Sequence, residues 1–272
     1  MAKYKCKVCG YIHNGTNAPE KCPICGVPST EFELMKKGLN TSSNTYTIIY
    51  SIVLVVIVAF LLAFVSKSLQ PQSDKNVMID KKQQILSSLN IRDIDKAEIE
   101  TTYDDVIVAD QIINIDGHVI SQGKQKDQDG FKVNTKEITD QNLPLYVCKI
   151  NGETKYVIPV TGRGLWGGLW GYIALNADKN TIFGAYFSHE SETAGLGARI
   201  TEYEGFQKQF AQKRIFDETE SIGIRVLKSG KEPEVKAENR CDAITGATLT
   251  CDGVNNMLRD CLKQYVRFLS NK

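Results

Sequence analysis

Residues 38–66 include no charged side chain, and residues 46–65 are almost entirely aliphatic or aromatic. About 20 such residues rise roughly 30 Å as a helix, the thickness of the hydrocarbon core of a bilayer. This run predicts a membrane-spanning helix over residues 45–67. It cuts the chain into a short N-terminal piece, residues 1–37, and a long C-terminal piece, residues 70–272. Tyr46 and Tyr50 stand where aromatic side chains anchor a span at an interface. A buried core helix or a cleaved signal sequence would carry the same apolar run. A signal sequence is disfavoured, because a cysteine-rich motif precedes the run and no small-residue cleavage site closes it. Charge does not orient the span. Lys36 and Lys37 flank one end, while Lys67, Lys75, Lys81 and Lys82 follow the other, and by the positive-inside rule the slight excess favours a cytoplasmic C-terminal piece.

The N-terminal piece holds two cysteine knuckles, Cys6-Lys7-Val8-Cys9-Gly10 and Cys22-Pro23-Ile24-Cys25-Gly26, with twelve residues between them. Each places two thiolates on a tight turn, and paired knuckles close a tetrahedral metal site. Iron and zinc both suit four soft thiolates. The text Cys9-Gly10-Tyr11-Ile12-His13, followed by residues 18–26 and Phe32-Glu33, resembles the rubredoxin domain at the end of rubrerythrins. That resemblance covers residues 3–34 and implies one iron in preference to zinc. Tyr4, Tyr11 and Phe32 would supply a small aromatic core, and a module this short depends on its metal for stability.

The C-terminal piece is long enough for one compact domain. Residues 77–89 have an amphipathic helical pattern. Asp116-Gly117, Asn151-Gly152 and residues 176–180 each separate two runs of strand-forming side chains, which predicts three hairpins. Residues 201–213 are expected to be helical. Val254, Met257, Leu258, Cys261, Leu262, Tyr265, Val266 and Leu269 recur at three-and-four spacing, the signature of an amphipathic helix. Strands joined by hairpins, with helices gathered at the ends, predict an antiparallel α+β domain. The expected architecture is therefore α+β: a small metal module, a single transmembrane helix and this domain. With 33 basic and 32 acidic residues, nothing suggests electrostatic binding to nucleic acid.

The segment Asp242-Ala243-Ile244-Thr245-Gly246-Ala247-Thr248-Leu249-Thr250 delivers hydroxyls and one carboxylate to the start of the last helix. Thr248 is expected just before the helix N-terminus. Unpaired N–H groups and the positive end of the helix dipole gather there and favour a phosphate. An ordinary N-cap loop fits the same spacing. Two further segments stand out. Residues 162–171 hold both tryptophans, Trp166 and Trp170, among five glycines, and residues 189–198 read His-Glu-Ser-Glu-Thr-Ala-Gly-Leu-Gly-Ala.

The run Asp-x-x-Thr-Gly-Ala-Thr resembles the flavinylation motif of the FMN-binding subunits of Na+-translocating NADH:quinone oxidoreductase and of the Rnf complexes. Residues 192–197 resemble that family's Glu-Thr-Pro-Gly-Leu-Gly loop, with Ala194 in place of proline, which removes one fixed backbone angle. Gly164-Leu165-Trp166 resembles a segment of the FMN-binding C subunits of the quinone oxidoreductase and favours them over the Rnf counterpart. The likeness covers about residues 40–272. It implies FMN held by a phosphoester to Thr248, placed by a flavin transferase, with Asp242, Thr245, Gly246 and Ala247 around the attachment point. Leu165, Trp166, Glu192, Thr193, Gly195, Leu196 and Gly197 would lie along the flavin. It also implies an electron-relay role in passing electrons from NADH-derived carriers toward quinone, partner membrane subunits and a place in the bacterial inner membrane. The N-terminal module would be cytoplasmic and the FMN domain periplasmic. A membrane-anchored metal or assembly module without flavin is the reading from a different class. Arg199 would either stabilise an anionic flavin or be an ordinary exposed arginine. Cys241 and Cys251 bracket the motif and allow either a disulfide in an oxidising compartment or, with Cys148 and Cys261, reduced buried thiols.

Overall fold

The computed structural model describes residues 2–35, 41, 43–124, 126–134, 138–228, 230 and 235–271. Lys36, Lys37 and residues 38–40 and 42 of the polar joint lie outside them. The chain divides into two compact units, Met1–Pro71 and Gln72–Lys272.

In the first unit, β1 (Ala2–Cys6) pairs antiparallel with β2 (Ile12–Gly15) on one side and with β3 (Phe32–Met35) on the other. Tyr4, Tyr11 and Phe32 are only half-buried, and Cys6 and Cys22 are the fully buried side chains. The interior of this module is thus its thiol cluster. Helix α1 (Asn44–Ser88) follows. Its most apolar 18 residues have a mean hydropathy of 3.2 and none is buried, as a lipid-facing surface requires.

The membrane helix and the helix expected over residues 77–89 are one element, because α1 continues through Pro71. A proline removes one backbone donor and is costly in a helix interior, and the periodicity alone therefore suggested two pieces. The last turns of α1 belong to the second unit, where Ile79, Ile85 and Leu86 are buried.

The second unit is built on a six-stranded antiparallel sheet in the order β5-β4-β6-β7-β8-β9. Its strands are β4 (Ile107–Ile113), β5 (Val119–Ser121), β6 (Leu143–Ile150), β7 (Glu153–Arg163), β8 (Gly168–Leu175) and β9 (Ile182–His189). All three hairpins expected from the sequence form. At the β6–β7 turn Asn151 and Gly152 take φ values of 50° and 85°, the left-handed geometry that a two-residue hairpin turn demands. Alternate residues of each strand serve opposite faces. Leu145, Ile158 and Ile173 pack with α3 (Thr248–Gln264), whereas Tyr146, Val157 and Tyr172 pack with the end of α1 and with α2 (Ile99–Val106). Helices therefore cover both faces of the sheet instead of gathering at its ends.

Residues 201–213 are not an α-helix. They form single 3-10 turns at Gly197–Thr201 and Gln207–Phe210. Gly205 interrupts the segment, and tertiary contacts decide its path. Phe206 and Phe210 pack against Phe187 at steep ring angles, with centroids 6.0 and 5.0 Å away. The buried Gln207 amide donates to the carbonyls of Phe187 and Ile200. A two-stranded parallel ribbon, β10 (Arg225–Leu227) and β11 (Arg240–Asp242), leads into α3. The last helix breaks at Tyr265, and α4 (Val266–Ser270) ends the fold.

Candidate functional site

The first site is the thiol cluster. Cys6, Cys9, Cys22 and Cys25 bring their sulfurs within 4.8 Å of one another. The Cys6–Cys25 and Cys9–Cys22 separations are 3.7 and 3.4 Å. A tetrahedral ion with metal–sulfur bonds of about 2.3 Å needs sulfurs about 3.8 Å apart, so the donor set fits a four-thiolate metal ion. The two knuckles repeat one local design. Gly10 N–H donates to Cys6 O and Gly26 N–H to Cys22 O, and both glycines have φ near +77°. That turn aims backbone N–H groups at sulfur. Those of Cys9 and Val8 face Cys6, that of Tyr11 faces Cys9, those of Cys25 and Ile24 face Cys22, and that of Val27 faces Cys25. Such bonds stabilise thiolate charge and tune a bound metal.

The second site lies where three loops of the C-terminal unit meet at the start of α3. A cleft of about 180 Å³ is lined by Leu165, Glu192, Thr193, Leu196, Gly197, Gly246, Ala247, Thr248, Leu249 and Thr250. All three segments singled out in the sequence thus converge. Leu165 and Trp166 form the tip of the β7–β8 hairpin, closed by Gly164 N–H to Gly167 O at 2.9 Å. Residues 189–197 leave β9 and fold back through Leu196 N–H to Thr193 O at 3.1 Å and Ala198 N–H to Thr193 O at 3.0 Å. Gly246 has φ +82°, and a Cβ there would sit 2.9 Å from a Leu196 methyl group.

The start of α3 differs in detail from expectation. Thr248 is the first residue of α3, and Ala247 is the N-cap, with no side-chain capping bond. Cys251 N–H is the first to bond back, to Ala247 O at 2.9 Å, so the N–H groups of residues 248–250 precede the ladder. Thr245 and Thr248 are exposed and Thr250 is buried. An exposed hydroxyl at an uncapped helix N-terminus is a site that a phosphate group fits.

Glu192 ties the loops together. The residue is only 7% exposed. Oε2 accepts the Thr250 hydroxyl at 2.5 Å and Oε1 accepts Trp166 N–H at 2.9 Å. Burial alone would raise its pKa, but the Thr250 hydroxyl and the N–H groups of Trp166, Gly167 and Leu165 outweigh it and hold the carboxyl below the usual range. Glycines make room for it, because a Cβ at Gly164 would stand 2.5 Å from Oε1 and one at Gly197 2.6 Å from Oε2.

Other sequence candidates stand apart from the cleft. Trp166 adjoins it but is 66% exposed at the hairpin tip. Gly195 shapes its loop at φ +75° without lining the cleft. Asp242 ends β11 with its side chain exposed and its N–H donated to Gln209 Oε1 at 2.7 Å, and Thr245 also lies off the lining. Arg199 pairs with Glu202 at 3.2 Å and does not reach the cleft. All eight cysteines are free, with Cys148, Cys241 and Cys251 buried and Cys261 half-buried, so the structure holds no Cys241–Cys251 disulfide. Sequence reasoning passed over Leu249 and Thr250. The signal was present for Thr250, which stands at helical spacing from the apolar Val254, Met257 and Leu258 and so belongs to the buried face of α3.

Two family models match the chain: the rubredoxin-like domain of rubrerythrin at residues 4–33 and the FMN-binding domain at residues 164–263. The C subunit of the Na(+)-translocating NADH-quinone reductase of Vibrio vulnificus is 37% identical over 114 residues, 41% of this chain and 43% of the relative's length. The chain thus spans less than half of that relative's length in the match. The fold of Shewanella oneidensis NqrC is shared at a TM-score of 0.59 and 22% identity, over 71% of this chain and 97% of that one. The crystal structure of the corresponding C subunit from Parabacteroides distasonis is shared at a TM-score of 0.68 and 38% identity, over 75% of this chain and 98% of that one. Its convergent loops, its FMN-binding domain and this near-complete coverage of a solved relative place the chain in the family of Na(+)-translocating NADH-quinone reductase C subunits.

Proposed function

We propose that the chain is an electron-relay subunit of a Na+-translocating NADH:quinone oxidoreductase, with FMN joined to Thr248 through a phosphoester. The observation that carries this reading is the choice among hydroxyls at the start of α3. Thr250 is buried and donates to Glu192, whereas Thr248 is exposed, lines the cleft and stands at the uncapped helix end. The Thr248 oxygen would become the ester oxygen, and N–H groups of the first turn would face the phosphate. A bound flavin supplies the capacity to take electrons singly or in pairs. Leu165, Thr193 and Leu196 would flank it. At about 180 Å³ the cleft is smaller than the roughly 300–1,000 Å³ of enclosing small-molecule pockets. It would therefore leave part of the flavin exposed to a redox partner.

Attachment requires a flavin transferase, and function requires the membrane subunits of the complex. When the chain is made with a transferase, denaturing electrophoresis should give a fluorescent band that Thr248→Ala abolishes. A band retained in Thr248→Ala would place the bond elsewhere, and no band in the parent chain would favour an assembly module without flavin.

The four cysteines would hold one iron, supported by the match to the rubredoxin-like domain of rubrerythrin. Purified protein should then contain one iron per chain and a visible thiolate charge-transfer spectrum that bleaches on reduction. Zinc in protein made with ample iron would count against this. Helix α1 would cross the bacterial inner membrane with the N-terminal module in the cytoplasm and the flavin domain in the periplasm. Protease added to the flavin-domain side of sealed vesicles should digest that domain and spare the N-terminal module, and digestion of both from one side would overturn the arrangement.

A further inference from the structure

Glu192 is the one ionisable side chain lining the α3 cleft among the described residues. The cation nearest in sequence, Arg199, is paired with Glu202 instead. The contacts to Glu192 fix its place and are those an ionised carboxylate makes. Thr250 Oγ1–H and Trp166 N–H donate to its two oxygens at 2.5 and 2.9 Å. Trp166 N–H can only donate, and a carboxylate accepts at both oxygens. Gly164 and Gly197 leave the room that the carboxylate occupies, since a Cβ at either would stand 2.5 or 2.6 Å from one of its oxygens. Those donors also hold its carboxyl below the usual carboxylate range, so the site carries one negative charge near neutral pH, with no cation among its lining residues.

We propose that Glu192 is a positioning residue for the flavin site with a second, electrostatic role: its fixed charge lowers the midpoint potential of a flavin held in the cleft. Placing further negative charge near a buried carboxylate is unfavourable, and the penalty is larger where burial reduces screening by water. The same hydrogen bonds hold the leucine-tryptophan hairpin, the glycine loop and the first turn of α3 in one arrangement. They also withdraw the Thr250 hydroxyl from modification. The proposal rests on the reading that FMN is carried at Thr248, and it goes further by assigning the sign of the electrostatic effect to one side chain.

The test compares flavin-loaded, full-length parent, Glu192→Gln and Glu192→Asp proteins in detergent by spectroscopic redox titration, with a melting curve for each. Removing the charge in Glu192→Gln should shift the flavin midpoint potential upward, whereas Glu192→Asp, which keeps the charge, should stay at or below the parent value. A purely structural role would move both variants together. An unchanged or lower potential in Glu192→Gln would overturn the proposal. If Glu192→Gln does not fold, Glu192→Asp decides, because a rise in its potential would overturn the proposal. The fluorescent band keeps the two readings apart: its absence in the parent fails the attachment reading, while a banded Glu192→Gln protein with an unmoved potential fails only this one.

Discussion

The thiol module and the C-terminal unit are held together by different means. In the module the fully buried side chains are two of the four cysteines, and its aromatic residues remain half-exposed. In the C-terminal unit two apolar clusters cover opposite faces of a six-stranded sheet, and the candidate flavin cleft sits at the edge of one of them. Two ligands of the four-cysteine site thus form the interior of the module, while the candidate flavin cleft is an addition to a domain that has its own core. Removing the ligand should therefore have opposite consequences in the two.

The largest expected effect is on the module. Structural zinc contributes apparent binding free energies of about 10–16 kcal/mol to the folding of zinc-finger peptides, and a metal held by this four-cysteine site supplies folding energy in the same way, above what a module of this size draws from burial. Chelation, or Cys22→Ala, should abolish amide-exchange protection across residues 2–35 and leave residues 143–189 protected. Persistent protection of β1–β3 without metal would break the contrast.

The next effect belongs to the sheet domain. Phe187 is fully buried in a triangle of rings with Phe206 and Phe210, so Phe187→Ala should cost about 3–5 kcal/mol. The melting transition of the domain should fall while metal content is unchanged. A loss below about 1 kcal/mol would mean that residues 206–210 do not take their path from this aromatic cluster.

A smaller, pH-dependent effect is expected at Glu192. Its folded-state pKa is depressed, so its contribution is fully present above the unfolded carboxylate value of about 4.3 and is lost as pH falls through the folded value. Glu192→Gln should therefore flatten the acid limb of the stability profile, measured by chemical denaturation, and leave its shape near neutrality unchanged. An identical acid limb in the two proteins would remove Glu192 from the charged state assigned to it.

The smallest effect is at Thr248, the proposed attachment residue. Thr248 is exposed, and the start of α3 has no side-chain cap, so Thr248→Ala should change stability by less than about 0.5 kcal/mol. A large loss would show that the hydroxyl has a structural role and that flavin attachment is not an addition to a finished fold.

Much of this site was legible in the linear chain because its signals are local. Four cysteines on two knuckles, a charge-free run of membrane length and three hairpin turns each depend on residues close in sequence. The convergence of residues 162–171, 189–198 and 242–250 was inferred from a family resemblance. Nothing in their own spacing requires them to meet. Residues 201–213 were misread because helical propensity is local, while the path of that segment is set by Phe187 on β9 and by the buried amide of Gln207.

By itself, then, the sequence determined which segments exist: the metal knuckles, the membrane helix, the hairpins and the hydroxyl-rich start of α3. Tertiary structure alone decided that helices cover both sheet faces and that Thr250 turns inward while Thr248 stays exposed. The physical reason is one of range. Backbone geometry and amphipathic period act over a few residues, whereas the bond from Thr250 to Glu192 joins groups 58 positions apart and exists only once the sheet has brought their loops together.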